Sequence, residues 1–101
     1  MSLVRTERGG DGVTRLIVAR PGMHNALVPE LLDDLLAALA SIAADSGCRA
    51  VILAAEGPAF SIGGDMRRFQ RERARNLVAY SASVVGKLNE AVLAMIDLPQ
   101  P

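Results

Sequence analysis

The chain has 101 residues, the size of one ordinary domain, and its 11 basic and 11 acidic residues cancel. A neutral chain lacks the overall positive field that attracts nucleic acid or an anionic membrane, so the composition predicts neither partner. Hydrophobic residues make up 50% of the chain and aromatic residues only 3%, which favours helices packed on a sheet over an aromatic-rich β-sandwich.

The N-terminal segment has the pattern of a β-hairpin. The runs "LVRTER" (3–8) and "VTRLIVAR" (13–20) flank the turn-rich cluster "GGDG" (9–12). Pro21 and Gly22 then end the second strand, because proline removes a ladder donor and the pair favours a turn.

Residues 28–44 predict an amphipathic helix, because their leucines recur at the i, i+3, i+4 spacing of one helix face. Pro29 suits the first helical position, where a missing N–H costs nothing. Glu30, Asp33 and Asp34 complement the positive end of the helix dipole.

The continuous apolar run 50–55 predicts a strand covered on both faces, as in a parallel sheet, which would complete a right-handed βαβ unit. A second helix is predicted over 76–97 and ends at "LPQP" (98–101). Its apolar stripe consists of Leu77, Tyr80, Val84, Leu88, Val92 and Met95. These elements leave little to cover both sides of Val51–Ala55, so we also expect an incompletely covered sheet.

Several kinds of site are not predicted. The single Cys48 excludes an internal disulfide framework and a structural zinc site, and its strand-like context predicts a buried, inert thiol. His24 is the only histidine, and it could act as a base or contact a ligand through its backbone. No G-x-S-x-G elbow, Walker motif or G-x-G-x-x-G fingerprint accompanies it. We therefore expect no metal and no bound nucleotide cofactor of the usual kinds.

The N-terminal residues are polar and lack the charged-then-apolar order of a signal peptide. No run approaches the roughly 18 uninterrupted apolar residues of a membrane span. These features predict a soluble, cytoplasmic protein.

The stretch "AFSIGGDMRRF" (59–69) places Gly63 and Gly64 at a transition from strand to helix. Glycine permits a positive φ and lets a ligand reach an N–H that no Cβ obstructs. At the start of a helix, the Gly64 N–H would be an unpaired donor, reinforced by the dipole, that suits a developing oxyanion. The other interpretation is a glycine-shaped loop with Asp65 as the helix N-cap. The spacing leaves both open.

An arginine cluster follows: Arg67, Arg68, Arg71, Arg73 and Arg75. On a continuous helix Arg67, Arg71 and Arg75 would share one face, and Arg68 could pair with Glu72. The cluster is either a phosphate clamp or a solvated charged segment. It has too few interleaved aromatic residues for a nucleic-acid surface.

The segments "RPGMHNAL" (20–27), "RAVILAAEGPAFSIGGD" (49–65) and the helix ending in "LPQP" together resemble the enoyl-CoA hydratase/isomerase (crotonase) family. Ala19 departs from the asparagine that the family often has before the first motif. The resemblance implies an α/β fold of spirally repeated ββα units, of which residues 1–101 would be the N-terminal portion of a single domain. It also implies an acyl-CoA substrate, no cofactor beyond that coenzyme A, and a homotrimer or hexamer for the complete protein.

The resemblance assigns a site as well. Gly64 would supply one of two backbone N–H groups that stabilise the thioester enolate. The CoA and acyl pocket would be lined by Met23, His24, Ala26, Ile62, Gly63, Gly64, Asp65 and Met66. In the family the second N–H and the catalytic acids follow the "LPQP" boundary. None of the glutamates at 7, 30, 56, 72 and 90 matches a catalytic position.

The implied function of the complete enzyme is hydration of a 2-enoyl-CoA, with double-bond isomerisation as the nearest rival. One alternative is a non-catalytic acyl-CoA-binding or assembly module that lacks the catalytic half. Another is an unrelated βαβ domain with a structural glycine turn. We expect the 101-residue chain alone to be inactive.

Overall fold

The computed structural model describes residues 2–101 and begins with the predicted hairpin. Strand β1 (Val4–Arg8) pairs antiparallel with β2 (Val13–Val18). Gly12 in the connecting turn has a φ of 86°, in the left-handed region that glycine reaches without strain. The hairpin prediction is therefore confirmed, although β2 ends ahead of Pro21.

Helix α1 (Pro29–Ala43) covers the hairpin, and its predicted amphipathic pattern is confirmed. The residues that it buries are Leu31, Leu32, Leu35, Leu39 and Ile42. They form the main hydrophobic core together with Leu16 and Val18 of β2. Burial of these aliphatic side chains is the dominant favourable term for this layer.

Strand β3 (Ala50–Ala55) lies parallel to β2, so the sheet order is β1-β2-β3 and the βαβ prediction is confirmed. The expectation of cover on both faces is wrong, because β3 is an edge strand. Ile52 is 46% exposed and Leu53 is 39% exposed, and neighbouring side chains of a strand point to opposite faces. The sheet is incompletely covered, as the element count predicts. Cys48, just before β3, is buried as predicted.

Two helices complete the fold: α2 (Met66–Glu72) and α3 (Leu77–Ile96). Helix α3 packs on α1 and buries Tyr80, Val84 and Ala91. The predicted helix is confirmed, but its apolar stripe is only partly covered, since Leu77 and Val92 are exposed.

The "LPQP" segment returns from α3 to the sheet. The Gln100 side-chain N–H₂ donates to the carbonyls of Ile42, at 2.9 Å, and Asp45, at 3.3 Å. The backbone N–H of Val51 donates to the Pro101 carbonyl at 2.8 Å. The Ile42 and Asp45 carbonyls also accept from the backbone N–H groups of Asp45 and Cys48, so Gln100 adds a second hydrogen bond to each and ties the C-terminal segment to the end of α1.

Candidate functional site

A groove of about 320 Å³ lies where the loop after β2 meets the loop before α2. Its walls consist of Gly22, Met23, His24, Ala26, Ile62, Gly64, Asp65, Met66 and Arg67. Seven of the eight residues that the resemblance assigned to the pocket are in this set, and Gly63 lies in the adjoining turn. Two distant segments of the sequence therefore form one concave site.

A short parallel bridge holds the two walls together. The Leu27 N–H donates to the Gly63 carbonyl at 2.7 Å, and the Asp65 N–H donates to the Leu27 carbonyl at 3.1 Å. In such a bridge the middle residue, here Gly64, directs its own N–H and C=O away from the partner strand. Within residues 2–101, no group accepts a hydrogen bond from the Gly64 N–H. A backbone donor at the groove wall is thus left unused.

Positions 63 and 64 require glycine for different physical reasons. Gly63 has a φ of 86°, and an added Cβ would meet open space, so only its backbone conformation requires glycine. An added Cβ at Gly64 would lie 2.9 Å from Cε2 of Phe69, so the ring requires the space. The dipeptide combines a left-handed turn with a close approach.

Asp65 is the N-cap of α2, which confirms the structural interpretation of the motif. Its Oδ1 accepts from the backbone N–H groups of Arg67, at 3.0 Å, and Arg68, at 3.2 Å. Its Oδ2 lies 3.0 Å from Nη2 of Arg20. Burial raises the pKa of Asp65, but these hydrogen bonds and the Arg20 charge hold that pKa below its ordinary value.

Gly64 itself precedes the N-cap, so the expectation that it starts the helix is wrong. Helix α2 has only seven residues, so its dipole contributes little to any donor nearby. The availability of the Gly64 N–H therefore follows from the bridge to Leu27 and not from the helix. The glycine-shaped loop and the free donor coexist.

Asn25 is a central residue of the site that the sequence interpretation missed. Its side chain is fully buried and uses all of its polar groups. Oδ1 accepts from the Arg20 backbone N–H at 2.8 Å, and Nδ2 donates to the carbonyls of Glu56 and Ala59, each at 2.8 Å. Asn25 also has a left-handed φ of 56°, which asparagine tolerates better than most residues. An asparagine in a Pro-Gly loop directly after a strand was the available signal.

Ser61 extends this network towards the glycines. Its hydroxyl donates to the Asn25 carbonyl at 2.8 Å and accepts from the Gly63 N–H at 3.1 Å. His24 lies beside Asn25 with a φ of 50° and an exposed side chain. Its N–H donates to the Pro21 carbonyl at 3.1 Å and ends a single 3₁₀ turn. Neither role suggested for His24 is tested by this geometry.

Arg68 has a structural position. It pairs with Glu72, at 3.1 Å, as predicted, and with Glu30 on α1, at 2.9 Å. These carboxylates raise its pKa above the ordinary value. Its guanidinium carbon lies 5.3 Å from the centre of the Tyr80 ring, and Phe69 meets that ring edge-on at 5.0 Å. The side chain thus joins α2 to the layer that α1 and α3 form, here called the helical layer, through charge and cation–π contacts.

The other arginines of the cluster are exposed to solvent. The predicted common face holds for Arg67 and Arg71, which are four positions apart on α2, and is wrong for Arg75, because α2 ends at Glu72 and residues 73–75 form a turn. Arg67 alone of these three lines the groove.

Within residues 2–101, no three His, Cys, Asp or Glu side chains converge as they would around a metal ion. In the same range, no helix is both long and apolar enough to cross a bilayer. The expectations about cofactors, membrane and location stay predictions.

The arrangement of strands and helices recurs in solved structures. An enoyl-CoA hydratase from Mycobacterium smegmatis matches the whole chain with a TM-score of 0.87 and 34% sequence identity. The match covers 38% of that chain. The fold is therefore the α/β crotonase fold that the resemblance implied, and the unrelated βαβ domain is excluded.

The family model for enoyl-CoA hydratase/isomerase matches residues 8–100, and the chain belongs to this family. The human "Enoyl-CoA hydratase domain-containing protein 3, mitochondrial" is 28% identical over 91 residues, which are 90% of this chain and 29% of the human protein. The "4-chlorobenzoyl coenzyme A dehalogenase-2" of Arthrobacter sp. is 39% identical over 56 residues, which are 55% of this chain and 20% of that enzyme. This chain thus spans less than a third of the length of either relative.

Proposed function

We propose that the groove binds the thioester of an acyl-CoA and that the Gly64 N–H donates a hydrogen bond to the thioester oxygen. The observation that carries this proposal is an unused backbone donor at the wall of a groove that contains seven assigned pocket residues. Such a donor is most effective when it is already fixed and unpaired, because no reorganisation is then needed as negative charge develops.

The chemistry of the groove supports this substrate class. The names of the enoyl-CoA hydratase and of the 4-chlorobenzoyl coenzyme A dehalogenase contain different acyl groups, and coenzyme A is the part that both names share. Met23, Ile62 and Met66 offer apolar surface for the acyl and thioester portions. Arg67 lines the groove, is exposed, forms no ion pair among residues 2–101, and suits a phosphate of the coenzyme.

For the complete enzyme we propose hydration of a 2-enoyl-CoA through an oxyanion-stabilised enolate, with isomerisation as the rival reaction. Either reaction needs a group that moves protons. Asp65 is the only carboxylate at the groove wall, and its two oxygens are taken by Arg20 and the α2 backbone. We therefore assign no acid or base within residues 2–101. A homotrimer or hexamer and a cytoplasmic location complete the proposal.

The Gly64 N–H can be tested without changing a side chain. Cys48 permits native chemical ligation of synthetic residues 48–101 to a thioester of residues 1–47. Replacing Gly64 by glycolic acid exchanges the backbone N–H for an ester oxygen and leaves the space beside Phe69 unchanged. We expect calorimetry to show a dissociation constant for butyryl-CoA that is about threefold to tenfold larger, the effect of losing one hydrogen bond.

The matched control is glycolic acid at Gly57, whose N–H also has no acceptor among residues 2–101 but lies outside the groove. This control should bind butyryl-CoA as the natural chain does. Equal affinity in the Gly64 ester would overturn the role of Gly64. A folded natural chain that binds no acyl-CoA would overturn the proposed site, and hydration of crotonyl-CoA by the chain would contradict its predicted inactivity. Binding without turnover agrees with part of an enzyme and equally with a non-catalytic module.

A further inference from the structure

We infer that Arg20 is a positioning residue for the proposed oxyanion site, because it neutralises the buried Asp65 carboxylate beside Gly64 and ties the two walls of the groove together. This inference rests on the proposed function and adds one residue, Arg20, whose side chain does not line the groove.

Arg20 reaches both walls with one side chain. Nη1 donates to the Ala26 carbonyl at 2.8 Å, on the wall formed by the loop after β2. Nη2 lies 3.0 Å from Oδ2 of Asp65, on the opposite wall. The Arg20 backbone N–H is itself fixed by Asn25, at 2.8 Å. A planar guanidinium can hold two such partners in fixed geometry, which a lysine ammonium does less well.

The Arg20–Asp65 pair has an electrostatic role as well as a structural one, because Asp65 is charged and buried. Asp65 follows Gly64 directly in the chain, and its side chain is only 4% exposed, so water screens the carboxylate weakly. An unpaired carboxylate there would oppose a second negative charge on a thioester oxygen held by the Gly64 N–H. Arg20 supplies the compensating positive charge without entering the groove wall.

The capping role and the charge of Asp65 can be separated. The cap needs only an acceptor for the N–H groups of Arg67 and Arg68, and asparagine caps a helix about as well as aspartate. Asp65→Asn therefore removes the charge and keeps the cap. It leaves Arg20 as an uncompensated cation next to the proposed oxyanion position.

The probe is 3-oxobutanoyl-CoA, which ionises at C2 to an enolate that absorbs in the near ultraviolet. Titration of the bound probe gives the pKa of its enolisation in each variant. In Arg20→Met, we expect this pKa to rise by about one unit, equal to a tenfold smaller enolate-to-keto ratio at fixed pH. In Asp65→Asn we expect a shift of the opposite sign, and in the double variant a return to within about threefold of the natural ratio.

The other charged or titratable side chains in the groove wall and in the adjoining Arg68 cluster are His24, Glu30, Arg67, Arg68, Glu72 and Tyr80, and all stay unchanged in these variants. Arg8→Met is the control, because Arg8 forms an exposed ion pair with Asp45 away from the groove, at 2.6 Å. It should leave the enolisation pKa unchanged.

Opposite signs distinguish a charge effect from simple damage, since loss of structure would weaken the enolate in every variant. If Arg20→Met does not fold, the sign in Asp65→Asn decides. Unshifted or equally raised values in folded Arg20 and Asp65 variants overturn the role of Arg20 and leave the acyl-CoA site intact. A folded natural chain that does not bind the probe overturns the proposed function and this inference together.

Discussion

The groove and the helical layer are both ordered, but different interactions fix them. In the helical layer, α1 and α3 meet through aliphatic side chains that repeat with the helix period. Around the groove, the side chains of Asn25, Arg20 and Asp65 form hydrogen bonds to backbone groups, and that of Asn25 reaches the Glu56 carbonyl, 31 positions along the chain. Apolar contacts tolerate small shifts, whereas directional hydrogen bonds hold one geometry. A site that depends on the position of a single N–H therefore gains most from the second kind of order.

The largest expected effect comes from removing a central leucine of the helical layer. Leu32 is 0% exposed, so Leu32→Ala should lower the free energy of unfolding by about 3–5 kcal/mol, through lost burial and a residual cavity. Urea unfolding followed by circular dichroism measures this. Val78→Ala is the control, because Val78 is 81% exposed on α3, and it should change stability little. A loss below 1 kcal/mol in Leu32→Ala would contradict the account of the core.

A somewhat smaller effect is expected in the groove. Asn25→Ala strands the Arg20 N–H and two loop carbonyls, and it leaves alanine in a left-handed conformation. We expect a loss of about 2–3 kcal/mol by urea unfolding. Asn89→Ala, at an exposed helical position, is the matched control and should be close to neutral. If both variants behaved alike, the buried network would not be what orders these loops.

The pH dependence of stability is expected to separate the two regions again. The pKa of Asp65 is lower in the folded chain than its ordinary value of 3.8, so its contribution is present above that value. The contribution is lost as the pH falls through the folded pKa, because protonation then favours the unfolded chain. The free energy of unfolding, measured from pH 6 to 2, should fall less steeply for Asp65→Asn than for the natural chain. Glu30, whose pKa Arg68 also lowers, is present in both proteins and contributes equally to both curves. Parallel curves would show that Asp65 does not contribute to the loss of stability in acid.

The smallest expected effect is in the helical layer, where one polar group is not paired. The Tyr80 hydroxyl is buried and has no hydrogen-bond partner within residues 2–101. Tyr80→Phe removes that hydroxyl and keeps the ring between Phe69 and Arg68, so stability should stay within about 0.5 kcal/mol or rise slightly. A thermal unfolding curve for each protein tests this. A loss above 1 kcal/mol would indicate a bonded hydroxyl.

The sequence allowed good predictions wherever a feature repeats along the chain. The leucine spacing predicted α1, and the apolar run 50–55 predicted β3 and its parallel pairing. The edge position of β3 could not be predicted in this way, because an apolar run looks the same whether or not another element covers it. Cover depends on neighbours that the run does not encode.

The candidate site divides in the same manner. The resemblance brought together residues from 23–26 and 62–66 that periodicity could not connect. The role of Asn25 was not predicted, because its side chain binds the backbone carbonyls of Glu56 and Ala59. Backbone groups so far along the chain leave no pattern in the residue types. The two glycines could not be distinguished either, since a positive φ and a nearby ring both favour the same letter.

The Gln100 side chain also bears on how the chain folds. Its hydrogen bond to Ile42 joins residues 58 positions apart, so it closes a loop that contains β3, α2 and α3. Closing so long a loop costs chain entropy that is recovered only when α3 has docked on α1. The Val51 N–H, paired with the Pro101 carbonyl beside it, should become protected from hydrogen exchange at the same moment. Protection of this one amide at the start of β3 thus marks the moment at which the C-terminal segment docks on the sheet.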